Sequence, residues 1–185
     1  MGLDMYLNKK TYIGNEYRKP EQRVKIIVPN NQKGVIFPTK VIKEERITEI
    51  VERVGYWRKA NAIHKWFVDN IQNGNDDCKE YYVTTENLQN LLDTVNKVLN
   101  ASKLVKGEIQ NGYNFDENGK KIPIMVKGRY IKDPSVAQEL LPTTEGCFFG
   151  STGYDEYYIA DLELTKKICE EAIAEGGEFS YSSSW

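Results

Sequence analysis

One histidine and three cysteines stand among 185 residues, and those scarcities exclude several chemistries. With His64 alone, a His-rich metal site is not expected. Cys78, Cys147 and Cys169 are odd in number, scattered and without a CxxC pair, so neither a disulfide framework nor a zinc ribbon is expected. Reduced thiols in a cytoplasm are the expectation. No run of roughly 18 apolar residues occurs, so no membrane partner is expected. The opening MGLDMYL is too polar for a signal-peptide core, and Tyr6 occupies the position where myristoylation needs Ser or Thr. A net charge of −2 argues against a protein that wraps duplex nucleic acid through a global positive field. There is no linker rich in Pro, Gly or Ser, no repeat and no low-complexity block.

What is present is ordinary in amount and uneven in placement. Forty per cent apolar and 28% charged residues describe a globular chain able to bury roughly 70% of its unfolded surface. The pattern predicts one α+β domain over residues 1–185, mainly antiparallel sheet with three to four packed helices and a hairpin insertion at 104–131. Leu3, Met5 and Leu7 alternate with Asp4 and Tyr6, the period of a half-buried strand. Residues 12–22 read as a loop, and 24–28 and 34–37 as short strands linked through 29–33, with Pro38 ending the second. Residues 45–54 read as a strand because β-branched residues dominate. A helix is predicted from about Trp57 to Gln72, stopping at Asn73-Gly74. Cys78 to Val83 reads as a short strand.

A helix capped by Thr84 or Thr85 follows, with Leu88, Leu91, Leu92, Val95, Val98 and Leu99 as its apolar stripe. Asn111-Gly112 and Asn118-Gly119 mark the hairpin. Asp133-Pro134 opens a short helix to Leu141. Residues 146–150 read as a buried strand feeding a long helix that ends near Gly176-Gly177, with Tyr158, Leu162, Thr165, Cys169 and Ala172 on one face. Residues 179–185 return as a short strand or ordered tail.

Candidate chemistry gathers in two places. On the predicted helix from 57, Tyr56, Ala60, Ile63, Phe67 and Ile71 form one stripe, while Trp57, Arg58, Lys59, Asn61, His64 and Lys65 crowd beside it. Aromatic rings next to cations can sandwich a base and hold its phosphate. Gly150-Ser-Thr-Gly153, before a helix, offers free N–H groups and the hydroxyls of Ser151 and Thr152 to an anion. Plain capping explains that segment more simply, since Asp155 and Glu156 can satisfy the helix dipole. Tyr154 and Tyr157 add rings. Histidine is the side-chain type best suited to general-base work near neutrality, yet no Ser or Cys at motif spacing from His64 marks a nucleophile, so a hydrogen-bonded structural role is favoured and no catalytic residue is assigned. Arg58 and Lys59 could instead pair with Asp155 and Glu156, tying the segments together. Asp76-Asp77-Cys78 reads as a loop beside a cap, and no cofactor is expected.

MGLDMYL, YWRKANAIHKWFV, LLPT, FFGST with YDEYY, and the final SSW together resemble a family of small proteins from bacteriophage and prophage genomes. The blocks scatter over residues 1–185, and the central thirteen-residue block is the most specific. Gly153 departs from what relatives often carry there. The resemblance implies a phage accessory protein, and one such class sequesters nucleotide-derived immune signals. The sequence expectation is therefore a cytoplasmic binder of a small nucleotide-like anion that inhibits host defence signalling. Its site would comprise Trp57, Arg58, Lys59, Asn61, His64, Lys65, Ser151, Thr152, Tyr154 and Tyr157. The rivals are a phosphodiesterase or glycohydrolase using His64 with Asp155 or Glu156, and an inhibitor that grips a host protein. A homo-oligomer is left open.

Overall fold

The computed structural model describes residues 2–26, 43–146 and 148–185. The architecture is α+β: a four-stranded sheet, a two-stranded antiparallel sheet and, among the described residues, four α-helices. Contacts divide the chain into two compact units, Lys10–Glu52 and the remainder, Met1–Lys9 with Arg53–Trp185. The expected strands at 24–28 and 34–37, with their link and Pro38, lie outside the described residues, except that 24–26 carry no strand.

In the smaller unit, the backbone makes short 3-10 turns at Asn15–Tyr17, Pro20–Gln22 and Glu44–Arg46. Asn15 is fully buried and ties them together. Its Nδ2 donates to the carbonyls of Val24 and Glu44 at 2.8 and 2.9 Å, and its Oδ1 accepts from the Val24 N–H at 2.9 Å. The loop expected at 12–22 is thus an ordered turn built around one amide.

Strand β1 (Asp4–Tyr12) and strand β6 (Glu178–Ser184) are the two inner strands of the order β2-β1-β6-β3. Here β2 is Glu49–Arg58 and β3 is Tyr81–Val83. Alternation works as expected at the start, since Leu3, Met5 and Leu7 are all fully buried. The chain end, expected as a short strand or tail, is an inner strand. Tyr81, Tyr82 and Val83 pair with Tyr181, Ser180 and Phe179.

Helix α1 (Asn61–Asn70) begins four residues later than the sequence predicts. Gly55 does not end β2; it lies inside the strand. A Cβ there would sit 2.7 Å from the Ile168 Cγ2 and 3.1 Å from the Leu7 Cβ, so only glycine permits that approach. The strand therefore continues through Tyr56, Trp57 and Arg58, alternating exposed, buried and exposed. It breaks at Lys59, held in the left-handed region at φ 62. The expected stripe keeps Ala60, Ile63 and Phe67 in the core, whereas Tyr56 belongs to β2 and is largely exposed. Asn73 and Gly74 adopt positive φ after the helix, as a turn there requires.

Helix α2 (Thr85–Ala101) carries a full capping box, in which the Thr84 hydroxyl accepts from the Asn87 N–H and the Asn87 side chain accepts in return from the Thr84 N–H. Five of its six stripe residues are buried and Leu99 packs at the margin. Strands β4 (Leu104–Phe115) and β5 (Lys121–Ile131) form the expected hairpin as a separate sheet. Helix α3 covers Ser135–Leu140, with Pro134 rather than Asp133 at the N-cap position; the Asp133 carboxylate accepts from the Ser135 N–H at 3.1 Å. Of the strand expected at 146–150, the described residues Gly146 and 148–150 carry none. Phe148 has φ 64 and is exposed, Phe149 turns inward, and Cys147 lies outside the described residues.

Helix α4 (Glu156–Glu175) ends at Gly176, which takes φ 62. All five residues expected on its inner face are buried. The Trp57 Nε1 donates to the Thr165 hydroxyl at 2.9 Å, joining β2 to this helix. No helix among the described residues is long and apolar enough to cross a membrane. The Cys169 thiol is buried and its pKa is pushed up to about 12, which leaves it inert.

On α4, burial, with the nearby Asp155 charge second, raises the Asp161 carboxyl to about 7. The folded chain then holds a proton that the unfolded chain releases, so stability falls as pH rises from about 4 to about 7 and the loss is complete above that window. Asp161→Asn should remove this dependence, making the variant more stable than the parent by roughly 1 to 3 kcal/mol at about pH 8 and near equal at about pH 4. Urea unfolding across that pH range measures it, and parallel profiles for the two proteins would refute it.

Candidate functional site

The two segments singled out in the sequence do meet, and one side chain makes the hydrogen bonds between them. Asn61, almost fully buried at the start of α1, donates from Nδ2 to the carbonyls of Phe149 and Ser151 at 3.2 and 2.8 Å. Its Oδ1 accepts from the Thr144 N–H at 3.1 Å. Beside it Lys59 packs against Gly150: a Cβ on that glycine would stand 3.1 Å from the Lys59 Cβ and 3.2 Å from its carbonyl. The Lys59 N–H donates to the Leu3 carbonyl, extending the ladder by one bond at 2.8 Å.

The helix N-terminus near Ser151 is already occupied. Asp155 caps α4, accepting from the Tyr157 and Tyr158 N–H groups at 2.9 and 3.2 Å. Burial raises its carboxyl pKa, with those two bonds acting in the opposite direction. The Ser151 hydroxyl accepts from the Gly153 N–H at 3.1 Å, and the Thr152 carbonyl accepts from the Thr143 hydroxyl at 3.1 Å. This is capping, the simpler of the two expectations. Glu156 pairs with Arg129 at 3.0 Å, so the expected pairing of Arg58 and Lys59 with Asp155 and Glu156 is replaced.

The remaining expected residues separate. Trp57 is fully buried and cannot stack on a ligand, and Arg58 points outward from β2. Tyr154 is half-buried, with its hydroxyl accepting from the Thr143 N–H and its ring edge-on to Tyr158 at 5.0 Å. Tyr157 is exposed on α4. Lys65 is held by Asp69 one helical turn along, at 2.8 Å.

His64 lies at the centre of a different arrangement. It is buried, with Nε2 at 2.9 Å from the Asp76 Oδ2 and Nδ1 at 2.8 Å from the Tyr181 hydroxyl. A carboxylate can only accept, so Nε2 carries a proton toward Asp76. Tyr181 keeps its own proton, because burial, with Asp76 second, holds its pKa well above the usual phenol value. Trp185 completes the chain, its Nε1 donating to the other Asp76 oxygen at 3.0 Å. The ring of His64 also stands edge-on to Phe149 at 5.3 Å.

These groups border a cleft of 350 Å³ whose walls include Lys65, Asp69, Asp76, Glu145, Phe149 and Trp185. That volume sits at the small end of ligand sites. Asp76 remains partly open there at 29% exposure, and Trp185 is 48% exposed. A second depression of 400 Å³, bordered by Ser102, Glu163 and Lys166, has no aromatic wall. No group of three or more potential metal ligands forms among the described residues. Asp76, Glu145, Phe149 and Trp185 were not chosen from the sequence. The one available signal was the solitary His64, since a buried imidazole needs two partners.

Replacing Asn61 tests whether the cleft depends on the tie between its walls. Asn61→Ala leaves two carbonyls and an N–H without their partner and should cost about 2 to 4 kcal/mol. Asn61→Asp should cost at least as much, because a carboxylate cannot donate to the two carbonyls. Equilibrium unfolding measures both, and an aspartate variant as stable as the parent would contradict this account.

Compared with known proteins, the chain matches no family model, no curated protein and no solved structure.

Proposed function

We propose that this protein is a binding protein that holds a small nucleotide-derived ligand in the cleft between α1 and the end of β6, without converting it. The observation that carries this reading is Asp76. Its carboxylate is fixed from behind by His64 and from the side by Trp185, yet it stays partly open to the cleft. A fixed acceptor beside an aromatic wall suits the edge of a base, whose ring N–H and amino groups donate while its face lies on Trp185.

The charges of the cleft shape the mode of binding. Asp69, Asp76 and Glu145 stand against one cation, Lys65, which is already paired. Such walls favour recognition through the base and direct phosphates outward, unlike the expectation that Arg58, Lys59 and Lys65 hold the phosphates. Both nitrogens of His64 are engaged and its hydroxyl neighbour Tyr181 holds its proton, so the array positions an acceptor and does not activate a nucleophile. Sequestration of an intact signal is how a phage protein of the kind this sequence resembles would silence host defence.

Thermal unfolding with nucleosides, nucleotides, cyclic dinucleotides and ADP-ribose derivatives tests this. A ligand at about 100 times its Kd should add about 2.7 kcal/mol. The shift should be lost in Asp76→Asn and Trp185→Ala and kept in Arg58→Ala, which does not line the cleft. The ligand should be recovered chemically intact after the protein is denatured. Recovery as a product would make the protein an enzyme, and a flat panel would turn the search to a protein partner.

A further inference from the structure

Outward from its base at Leu104 and Ile131, one face of the β4–β5 ribbon is exposed. Cross-strand partners share a face, and the register pairs Lys106 with Arg129, Glu108 with Lys127 and Gln110 with Met125. Beyond Gln110 the register shifts, so that Tyr113 pairs with Pro123 and Phe115 with Lys121. Between those pairs β4 spends two residues, Asn111 and Gly112, against the single Ile124 of β5. This bulge has a definite effect on chemistry. An unbroken ladder would place Tyr113 and Phe115 on the face opposite Gln110. The extra residue, with Gly112 at φ 97, turns both rings onto the face of Lys106 and Lys127.

From Lys106 and Arg129 outward, the aromatic and charged residues of that face are exposed. Tyr113, Phe115 and Met125 are large apolar side chains left in solvent. Lys106, Lys121 and Lys127 stand among them, with Glu108 the one carboxylate on the face. Lys121 lies over the Tyr113 ring at 5.3 Å. Arg129 is held by Glu156 at the base of the ribbon. On the opposite face Ile109 is buried and a Cβ on Gly128 would meet Ile109 and Glu156, while Ile122 and Tyr130 stay exposed. Residues 104–131 hold five cations and three carboxylates within a chain of net charge −2, so the ribbon has the opposite sign from the rest.

We propose that this face binds single-stranded nucleic acid. Two rings, two residues apart on one strand, stand roughly 7 Å from one another and can each take a base. Lysines beside them meet the backbone phosphates, and stacking on aromatics is indifferent to sequence. An acidic peptide would use the lysines but would have no use for exposed rings brought round by a bulge. A duplex keeps its bases stacked on one another and out of reach of the rings.

Fluorescence anisotropy with a labelled oligothymidylate at low salt tests the proposal. Binding should weaken with salt at a slope of about −2 in log–log form, as expected for three phosphate contacts. Tyr113→Ala and Phe115→Ala should each weaken it about tenfold, and Lys121→Gln with Lys127→Gln should weaken it and flatten the salt slope. Asp76→Asn, in the cleft, should leave it unchanged. These side chains lie in solvent, so melting temperatures should match the parent and separate lost binding from lost folding. Absence of binding, equal binding of a duplex or of polyglutamate, or binding that survives loss of both rings would overturn the proposal.

Discussion

A buried amide must place each of its polar atoms, and in this protein that requirement falls on Asn61. No other residue type of that size both donates twice and accepts. By satisfying the carbonyls of Phe149 and Ser151 together with the Thr144 N–H, it fixes two points of the α3–α4 connection against the first turn of α1. That connection supplies Glu145 and Phe149 to the cleft, while α1 supplies His64 and Lys65. The site is therefore a consequence of a packing constraint at its edge. The left-handed turn at Lys59 belongs to the same constraint, since it lets the chain leave β2 and begin α1 within two residues.

The second organising feature is the line from Tyr181 through His64 and Asp76 to Trp185. It joins an inner strand, a helix, a loop and the last residue of the sequence by three hydrogen bonds. Stacked rings reinforce it: Tyr181 lies 3.9 Å from Phe67 at an interplanar angle of 5°, and Trp57 meets Phe67 edge-on at 6.0 Å. An imidazole with both nitrogens bonded is a rigid spacer, and its service to the cleft is to hold Asp76 in place.

Elements with a local period were legible in the sequence. Leu3, Met5 and Leu7 announce β1, the leucine stripe announces α2, and Tyr158 through Ala172 announce the inner face of α4. The hairpin was legible from its turn residues. The boundary between β2 and α1 was not, because the spacing of Tyr56, Ala60 and Ile63 fits a helix equally well. Only the contact of Gly55 with Ile168, more than a hundred residues away, shows that the strand continues. The Phe148-Phe149 pair misled for a related reason: two apolar residues read as a buried strand, but one faces solvent at positive φ. Of the expected site, Asn61, His64 and Lys65 converge on the cleft region and Trp57 belongs to the core. Asp76 and Trp185 were beyond reach of any spacing rule, since their partners are set by the fold.

The three tryptophans differ sharply in shelter. Trp57 and Trp66 are buried, whereas Trp185 is about half open and its indole nitrogen rests on Asp76. An aqueous quencher therefore reaches one indole far more readily than the other two. The protein carries its own optical probe at the wall of the cleft, and the emission of that residue responds to whatever disturbs Asp76 without any label being attached.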